Sequence, residues 1–362
     1  MSQRPFFLPR SSSPPVSFNL SQRGDTRSFE LFGCAAPIAS PSLRPARVDS
    51  RARGWGGANQ RVCPSNFMGL DAELVRLLLE ARQAGVSFRR TLTLGRQHYF
   101  VGHRETRALL ARHGIDPDQH PDLFTPRLDR EPRFADAFWR ALGSDAPQSL
   151  DASDYEGATR VHDLNRAVPA EWAGQYDAVC DAGTLEHVYA FPVAFRSCLE
   201  MVRVGGHLLL FTTANNYCGH GFYQFSPELF FRALSESNGY RVERMVAVEY
   251  APRIRRYAVT DPEALHRRVS PINRHPVLLF VQARRLRDVP LFANPPLQSD
   301  YVVQWQDRPP AARPGQPSWS ERVKLGIAEH APGLARFLDG WRYSGWNRRY
   351  SFRDSQAFRR LP

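Results

Sequence analysis

YDAVCDAGTLEHV (176–188), FPVAFRSCLEMVRV (191–204) and GHLLLFTTA (206–214) follow one another near the middle of the 362-residue chain. The first opens on an apolar, β-rich run, the second has helical spacing, and the third is apolar and β-branched, so the order reads strand, helix, strand. Further runs of the same kind lie upstream at RRTLTLG (89–95), SLDAS (149–153) and TRVHDL (159–164). Two more lie downstream at YRVERMVAVEY (240–250) and PVLLFVQAR (276–284). Strands that alternate with helices predict a parallel sheet with right-handed crossovers.

The helices between these strands carry their own signals. Leu70, Leu74, Leu77, Leu78 and Ala81 recur at three- and four-residue spacings before Gly85, which predicts a helix over 70–85. RETRALLARHG (104–114) ends on a glycine in the same way, and a short helix is expected around 134–142 within an otherwise irregular stretch, 115–145. Ser226-Pro227-Glu228 combines an N-cap residue, a first-turn proline and an acid, predicting a helix that runs to Gly239. A basic, partly helical insert is expected at 253–274, and a weak amphipathic helix at 320–341, followed by an aromatic and basic tail. No internal repeat is present.

Three parts follow from composition. Residues 1–67 are rich in Ser, Pro, Arg and Gly without sustained periodicity and are expected to be disordered. They lack the amphipathic helix of an organelle transit peptide. Met68 directly precedes the helical pattern, so a start at Met68, with 1–67 a gene-model extension, is favoured over a functional tail. Residues 68–287 form the folded domain, and 288–362 a Pro-rich, basic C-terminal extension whose Trp319, Trp341 and Trp346 favour contact with something over free solvation.

The formal net charge is +12, distributed as +6 over 1–67, +1 over 68–299 and +5 over 300–362. A neutral centre argues against a dedicated nucleic-acid-binding domain. Five cysteines with no C-x-x-C pair suggest neither a disulfide framework nor a zinc site, no His/Asp spacing resembles a metal site, and a reducing cytoplasm fits. No apolar stretch approaches the roughly 20 residues that span a bilayer.

YDAVCDAGTLEHV, the helix after it, VRVGGHLLLFTTA, the Ser-Pro-Glu-capped helix and the two final strands resemble the second half of a class I S-adenosylmethionine-dependent methyltransferase. The resemblance runs from about Arg89 to Arg285. It implies a Rossmann-like, doubly wound α/β sheet of seven strands, mostly parallel with one antiparallel strand near its end. It also implies S-adenosylmethionine as cofactor, held at the carboxyl ends of the first strands, where doubly wound sheets bind ligands.

What the resemblance implies residue by residue has physical sense. Asp151, closing the second strand, falls where the family has an acid on the ribose hydroxyls; an acceptor-only carboxylate can take both O–H groups. Asp163 falls where an acid or amide meets the adenine amino group, with Leu164 as the apolar ring contact. The glycine loop after the first strand is degenerate: Gly95 is kept, but Arg96 and Gln97 replace small residues. Either those side chains grip the cofactor's carboxylate and amino group, or they fill the pocket. Gly205-Gly206 supplies a turn needing positive φ.

Glu186 and His187 follow the fourth strand, where the family's loop faces both sulfonium and acceptor, and the resemblance makes Glu186 a cofactor-binding candidate. His187 reads as a general base toward a hydroxyl or amine, and equally as a residue packing the next helix. NNYCGHGFYQFSPE (215–228) crowds aromatic and His residues into the loop after the fifth strand, at the acceptor edge. Asn215, His220 and Tyr223 are its acceptor-binding candidates, Phe222 and Phe225 its packing residues; RIRR (253–256) and Arg267-Arg268 read as solvated faces.

The expected activity is methyl transfer to an oxygen or nitrogen of a small or medium metabolite, a saccharide or lipid-linked sugar among them. The alternative is a methyltransferase-like fold without turnover that serves as a binding or scaffold protein. A different nucleotide-using Rossmann-type enzyme is disfavoured by the missing G-x-G-x-x-G and P-loop.

Overall fold

The computed structural model describes residues 69–125, 133–293, 295–306, 318–343 and 347–362, all within the unit Arg61–Pro362. The disorder expected for 1–67, and Trp346, lie outside the described residues.

In chain order the elements are β1 (Gly69–Leu70), α1 (Ala72–Gln83), β2 (Thr91–Leu94), β3 (His98–Tyr99), α2 (His103–Arg112), α3 (Asp136–Ala141), β4 (Gln148–Asp151), β5 (Arg160–Val161) and β6 (Tyr176–Asp181). Then come α4 (Phe191–Met201), β7 (Val202–Thr213), α5 (Pro227–Ala233), β8 (Tyr240–Glu249), β9 (Arg255–Val259), β10 (Val277–Arg285), α6 (Ser299–Gln306), α7 (Trp319–His330), α8 (Pro332–Arg342) and β11 (Phe358–Leu361). The main sheet has the order β11-β9-β8-β10-β7-β6-β2-β4-β5, while β1 and β3 form a small parallel pair.

Strands β5, β4, β2, β6 and β7 pair in parallel. Strand β10 is antiparallel to both β7 and β8. Those seven match the expected sheet, but the count is nine: β9 adds to β8, and β11 adds to β9, each antiparallel. The expected basic, partly helical insert therefore opens on a strand over Arg255–Val259, and its helical part is one 3-10 turn over Glu263–Leu265. Its arginines obscured the alternation that buries Tyr257 and Val259 on one face. Residues from the C-terminal extension supply β11, and Phe352 stacks on Tyr257 with ring centroids 4.4 Å apart.

The sheet buries two cores, as a doubly wound fold requires. On one face, Leu74, Leu77 and Leu78 of α1 and Phe138 and Trp139 of α3 pack with Ala178, Cys180, Leu209 and Phe211. On the other, Ala194, Phe195 and Leu199 of α4 and Phe230 of α5 pack with Val179, Leu208 and Leu210. Neighbours along β6 and β7 thus alternate between faces, each face being apolar, which is why both strands read as nearly continuous apolar runs.

Caps and breaks follow local chemistry. Asp71 caps α1 through Leu74 N–H at 2.8 Å and also accepts the Tyr250 hydroxyl. Ser226 caps α5 through Glu228 N–H at 3.1 Å, as expected, but the helix stops at Ala233 and a 3-10 turn leads to Gly239. The single amphipathic helix expected at 320–341 is two, broken at Ala331 because the residue before Pro332 is forced out of helical geometry. Trp319 and Trp341 are exposed.

The turn at Gly205-Gly206 lies inside β7, where pairing with β6 jumps from Tyr176↔Val202 to Ala178↔His207. Gly205 has φ +84°, and a Cβ on Gly206 would stand 2.8 Å from the Asp177 carbonyl oxygen. The arginine clusters are solvated only in part: Arg253 and Arg268 are exposed, while Arg255, Arg256 and Arg267 are half-buried. Arg255 pairs with Glu249 (3.0 Å), Arg256 with Glu73 (3.4 Å), Arg267 with Asp354 (2.6 Å) and Arg268 with Asp300 (2.6 Å), tying the last segments onto the sheet. Among the described residues no helix is long and apolar enough to cross a membrane.

Candidate functional site

The chain runs outward from β2 in two directions, to β4 and β5 on one side and to β6 and β7 on the other. The carboxyl ends of these five strands therefore border the crevice in which such sheets take ligands. Gly95 leaves β2 with φ +69° while its N–H donates to the Leu150 carbonyl at 2.8 Å. A Cβ there would lie 3.3 Å from Thr184 Oγ1 and 3.8 Å from Asp151 Oδ2, so the bare backbone of Gly95 sits between the ends of β4 and β6. Asp151 is half-buried, and no donor among the described residues hydrogen-bonds to its carboxylate.

The two residues after Gly95 are committed to the protein. Arg96 pairs with Asp136 at 3.2 Å, donates to the Glu156 carbonyl at 2.9 Å and lies 4.2 Å over the Phe134 ring. Gln97 is 5% exposed and donates its amide to the Leu94 carbonyl. Asp163 is exposed and closes an Asx turn, accepting from the Asn165 N–H (2.9 Å) and side-chain amide (2.8 Å). Those two bonds hold it below the usual carboxylate range. Leu164 is buried in the core under α4.

The end of β6 carries acids that the sequence reading only half noticed. Asp181, at the last position of the strand, is buried. Its Oδ1 accepts Thr184 N–H at 2.9 Å, while Oδ2 has no partner. Glu186 is 1% exposed and accepts the Thr212 hydroxyl on Oε2 at 3.1 Å. Burial pushes the Asp181 carboxyl up to about 7 and the Glu186 carboxyl up to about 8, with the charge of Asp181 adding to the rise of Glu186. His187 is exposed at its ring and shifted downward by desolvation and by His220, so it is neutral at pH 7.

The loop after β7 folds back onto this pair. Gly221 has φ +68°, and the Glu186 carbonyl accepts Phe222 N–H (2.7 Å) and Tyr223 N–H (3.2 Å). His220 is thereby held with Nε2 3.8 Å from Glu186 Oε1 and its ring 4.8 Å from that of His187. The Tyr223 hydroxyl donates to the Tyr189 carbonyl at 2.6 Å, and its ring stacks on Phe225. Asn215 spends its amide on the Pro271 carbonyl (2.6 Å) and on Asn273 Oδ1 (3.2 Å), pinning a neighbouring loop. Of the acceptor-side residues, the structure brings His220 to Glu186 and His187, and engages Asn215 and Tyr223 with backbone.

No known family's model matches the chain, and no curated protein matches it. Solved structures, methyltransferases among them, are similar to it. One is an S-adenosylmethionine-dependent methyltransferase from Mesorhizobium loti, 17% identical, covering 59% of this chain and 98% of that one with a TM-score of 0.33. Another is the trans-methyltransferase CalH in complex with SAH, 14% identical, covering 59% and 55% with a TM-score of 0.30, so the chain spans about half of its length. A third is the branched-chain polyamine synthase of Thermus thermophilus in complex with N4-aminopropylspermidine and 5′-methylthioadenosine, 13% identical, covering 61% and 57% with a TM-score of 0.31. Likeness at this level carries no functional argument.

Asp181, Thr184 and Thr212 escaped the sequence reading. An acid ending an apolar strand was available as a signal for Asp181; nothing in the sequence singles out the threonines. The raised acids give a pH dependence whose sign is fixed. The native state holds protons that the unfolded chain has released, so the stability they contribute is full below about pH 4 and is lost as pH rises toward 8. Each such proton tilts stability by about 1.4 kcal/mol per pH unit. Urea unfolding between pH 5 and 8 should therefore show a shallower fall for Glu186→Gln than for the parent. Parallel curves would mean that Glu186 is ionised throughout.

Proposed function

We propose that the protein is an S-adenosylmethionine-dependent methyltransferase acting on an oxygen or nitrogen of a small or medium metabolite, with the activity housed in 68–287. The observation that carries this is the free carboxylate of Asp151 beside the bare backbone of Gly95, at the carboxyl edge of a doubly wound sheet. A half-buried carboxylate without donors suits a diol that brings two O–H groups. The glycine-rich cradle that a pyrophosphate needs is missing, with Arg96 and Gln97 engaged elsewhere, so a nucleoside without a diphosphate fits better than a dinucleotide.

The residues present fit such a cofactor. Asp151 would hold its ribose, Gly95 would let it approach the end of β2, and Asp163 keeps one carboxylate oxygen outside its Asx turn for a ring amino group. When bound, the cofactor would supply an electrophilic methyl carbon on a positively charged sulfur. The buried Asp181 carboxyl, with one oxygen unpaired, would give up its proton more readily with a cation bound at this edge. Neutral His187, on the acceptor side, can take the proton that the acceptor releases. Alignment and proximity account for most of the acceleration such a transfer needs.

Calorimetric titration of S-adenosylmethionine and S-adenosylhomocysteine into the folded protein tests this. Micromolar binding of both is expected. No heat from either would overturn the reading and favour a scaffold that has kept the fold without turnover.

A further inference from the structure

We propose that Glu186, His187 and His220 bind a divalent first-row transition-metal ion at the acceptor side of the carboxyl edge. One ligand atom from each lies within 4.8 Å of the other two. Glu186 and His187 sit in the turn after β6, and His220 in the loop after β7, two strands that pair side by side. Ligands sharing one ion at about 2.0 to 2.2 Å stand roughly 3 to 3.5 Å apart, so closure asks only for small side-chain rotations. His187 and His220 have the room to make them, His187 being exposed and His220 partly so.

The surroundings are organised as they are around bound metals. Thr212 holds Glu186 Oε2 and leaves Oε1 facing His220 at 3.8 Å. The Glu186 backbone carbonyl takes two N–H groups from the His220 loop, so the first ligand also positions the third. Among the described residues no arginine or lysine pairs with this 1%-exposed carboxyl, so no fixed cation competes with an ion for Oε1. Two imidazoles and one carboxylate, with the remaining positions open, make a donor set for manganese, iron, cobalt or zinc rather than for calcium or magnesium.

The ion's role rests on the methyltransferase reading. Held on the solvent-facing side of His187, it would bind an acceptor hydroxyl and lower its pKa, the proton passing to bulk water. The oxygen–carbon bond then forms as the sulfonium's carbon–sulfur bond breaks. With the ion bound, His187 gives its lone pair to the metal and the ion takes over the acidifying task. The acceptor would accordingly be oxygen-bearing, preferably with two adjacent oxygens that can chelate.

Cobalt(II) titration of the chelator-treated, full-length protein reads the site without any turnover. One equivalent should produce visible d–d bands, zinc should displace them, and His187→Ala or His220→Ala should each weaken cobalt binding at least tenfold with unchanged circular dichroism. His330→Ala, at an exposed position in α7, serves as the control and should match the parent. Absence of bands in folded protein at millimolar cobalt, or bands that persist in both histidine variants, would overturn the metal site. Titrating S-adenosylmethionine into the same metal-free sample separates the two ideas: cofactor heat without cobalt bands sinks the ion alone, and cobalt bands without cofactor heat sink the methyltransferase reading alone.

Discussion

Replacing Asp151 with alanine is expected to weaken S-adenosylmethionine binding about 100-fold while leaving thermal unfolding within a few degrees of the parent. The first number follows from the chemistry of the contact. Hydrogen bonds to a charged partner contribute about 1.5 to 3 kcal/mol each, and the loss of one strong bond or two weak ones, about 3 kcal/mol, corresponds to about 100-fold in Kd. The second follows from the structure: the carboxylate is half-buried and accepts no hydrogen bond from the described residues, so alanine there leaves no partner stranded. Asparagine should fall between, since its amide keeps one acceptor oxygen and loses the charge. Asp163→Ala should cost less than Asp151→Ala, because Asp163 is exposed and one of its oxygens is already occupied by Asn165. Calorimetry with the cofactor beside a melting curve decides. Equal losses of affinity and stability would show that Asp151 holds the fold and no ligand.

The centre of the sheet was legible because β6, β7 and β10 are largely buried on both faces and write themselves as apolar runs. The alternation of these runs with α4 and α5 then left few topologies open. Strand β9 escaped because Arg255 and Arg256 bear long side chains that extend to Glu249 and Glu73, so a half-buried strand looked like a basic surface. Strand β11 escaped because its pairing partner lies far away in sequence.

Within the site, positions were readable and directions were not. Gly95, Asp151 and Glu186 were placed by the ends of strands, which the pattern marks. Whether Arg96 points to a ligand or to Asp136, whether Leu164 faces a ring or the core, and whether the Asn215 amide serves an acceptor or the Pro271 carbonyl depend on rotamers set by distant neighbours. The meeting of His220 with Glu186 and His187 depends on two strands being adjacent and on a single glycine. No spacing rule could have shown it.

That glycine is the most sensitive position in the loop. In Gly221→Ala the new Cβ would lie 2.7 Å from the Glu186 carbonyl oxygen and 3.2 Å from its Cγ, at a φ of +68° that an L-residue reaches only with strain of about 1 kcal/mol or more. The obstacle is backbone, so the loop itself must lift, which breaks the bonds from Phe222 and Tyr223 to Glu186 and withdraws His220. A net loss of about 2 to 3 kcal/mol is expected in chemical denaturation. Because the neighbouring strands are held by their own ladders, early proteolysis should fall within 217–225, and loss of acceptor-side function should exceed loss of stability. Gly219→Ala, two residues away, supplies the comparison. Nothing stands within 4 Å of its Cβ position and its φ is not positive, so it should stay within about 0.5 kcal/mol of the parent. Should the two alanine variants melt and digest alike, the loop would not be clamped on Glu186, and the assembly of the two histidines around that carboxyl would have to be abandoned with it.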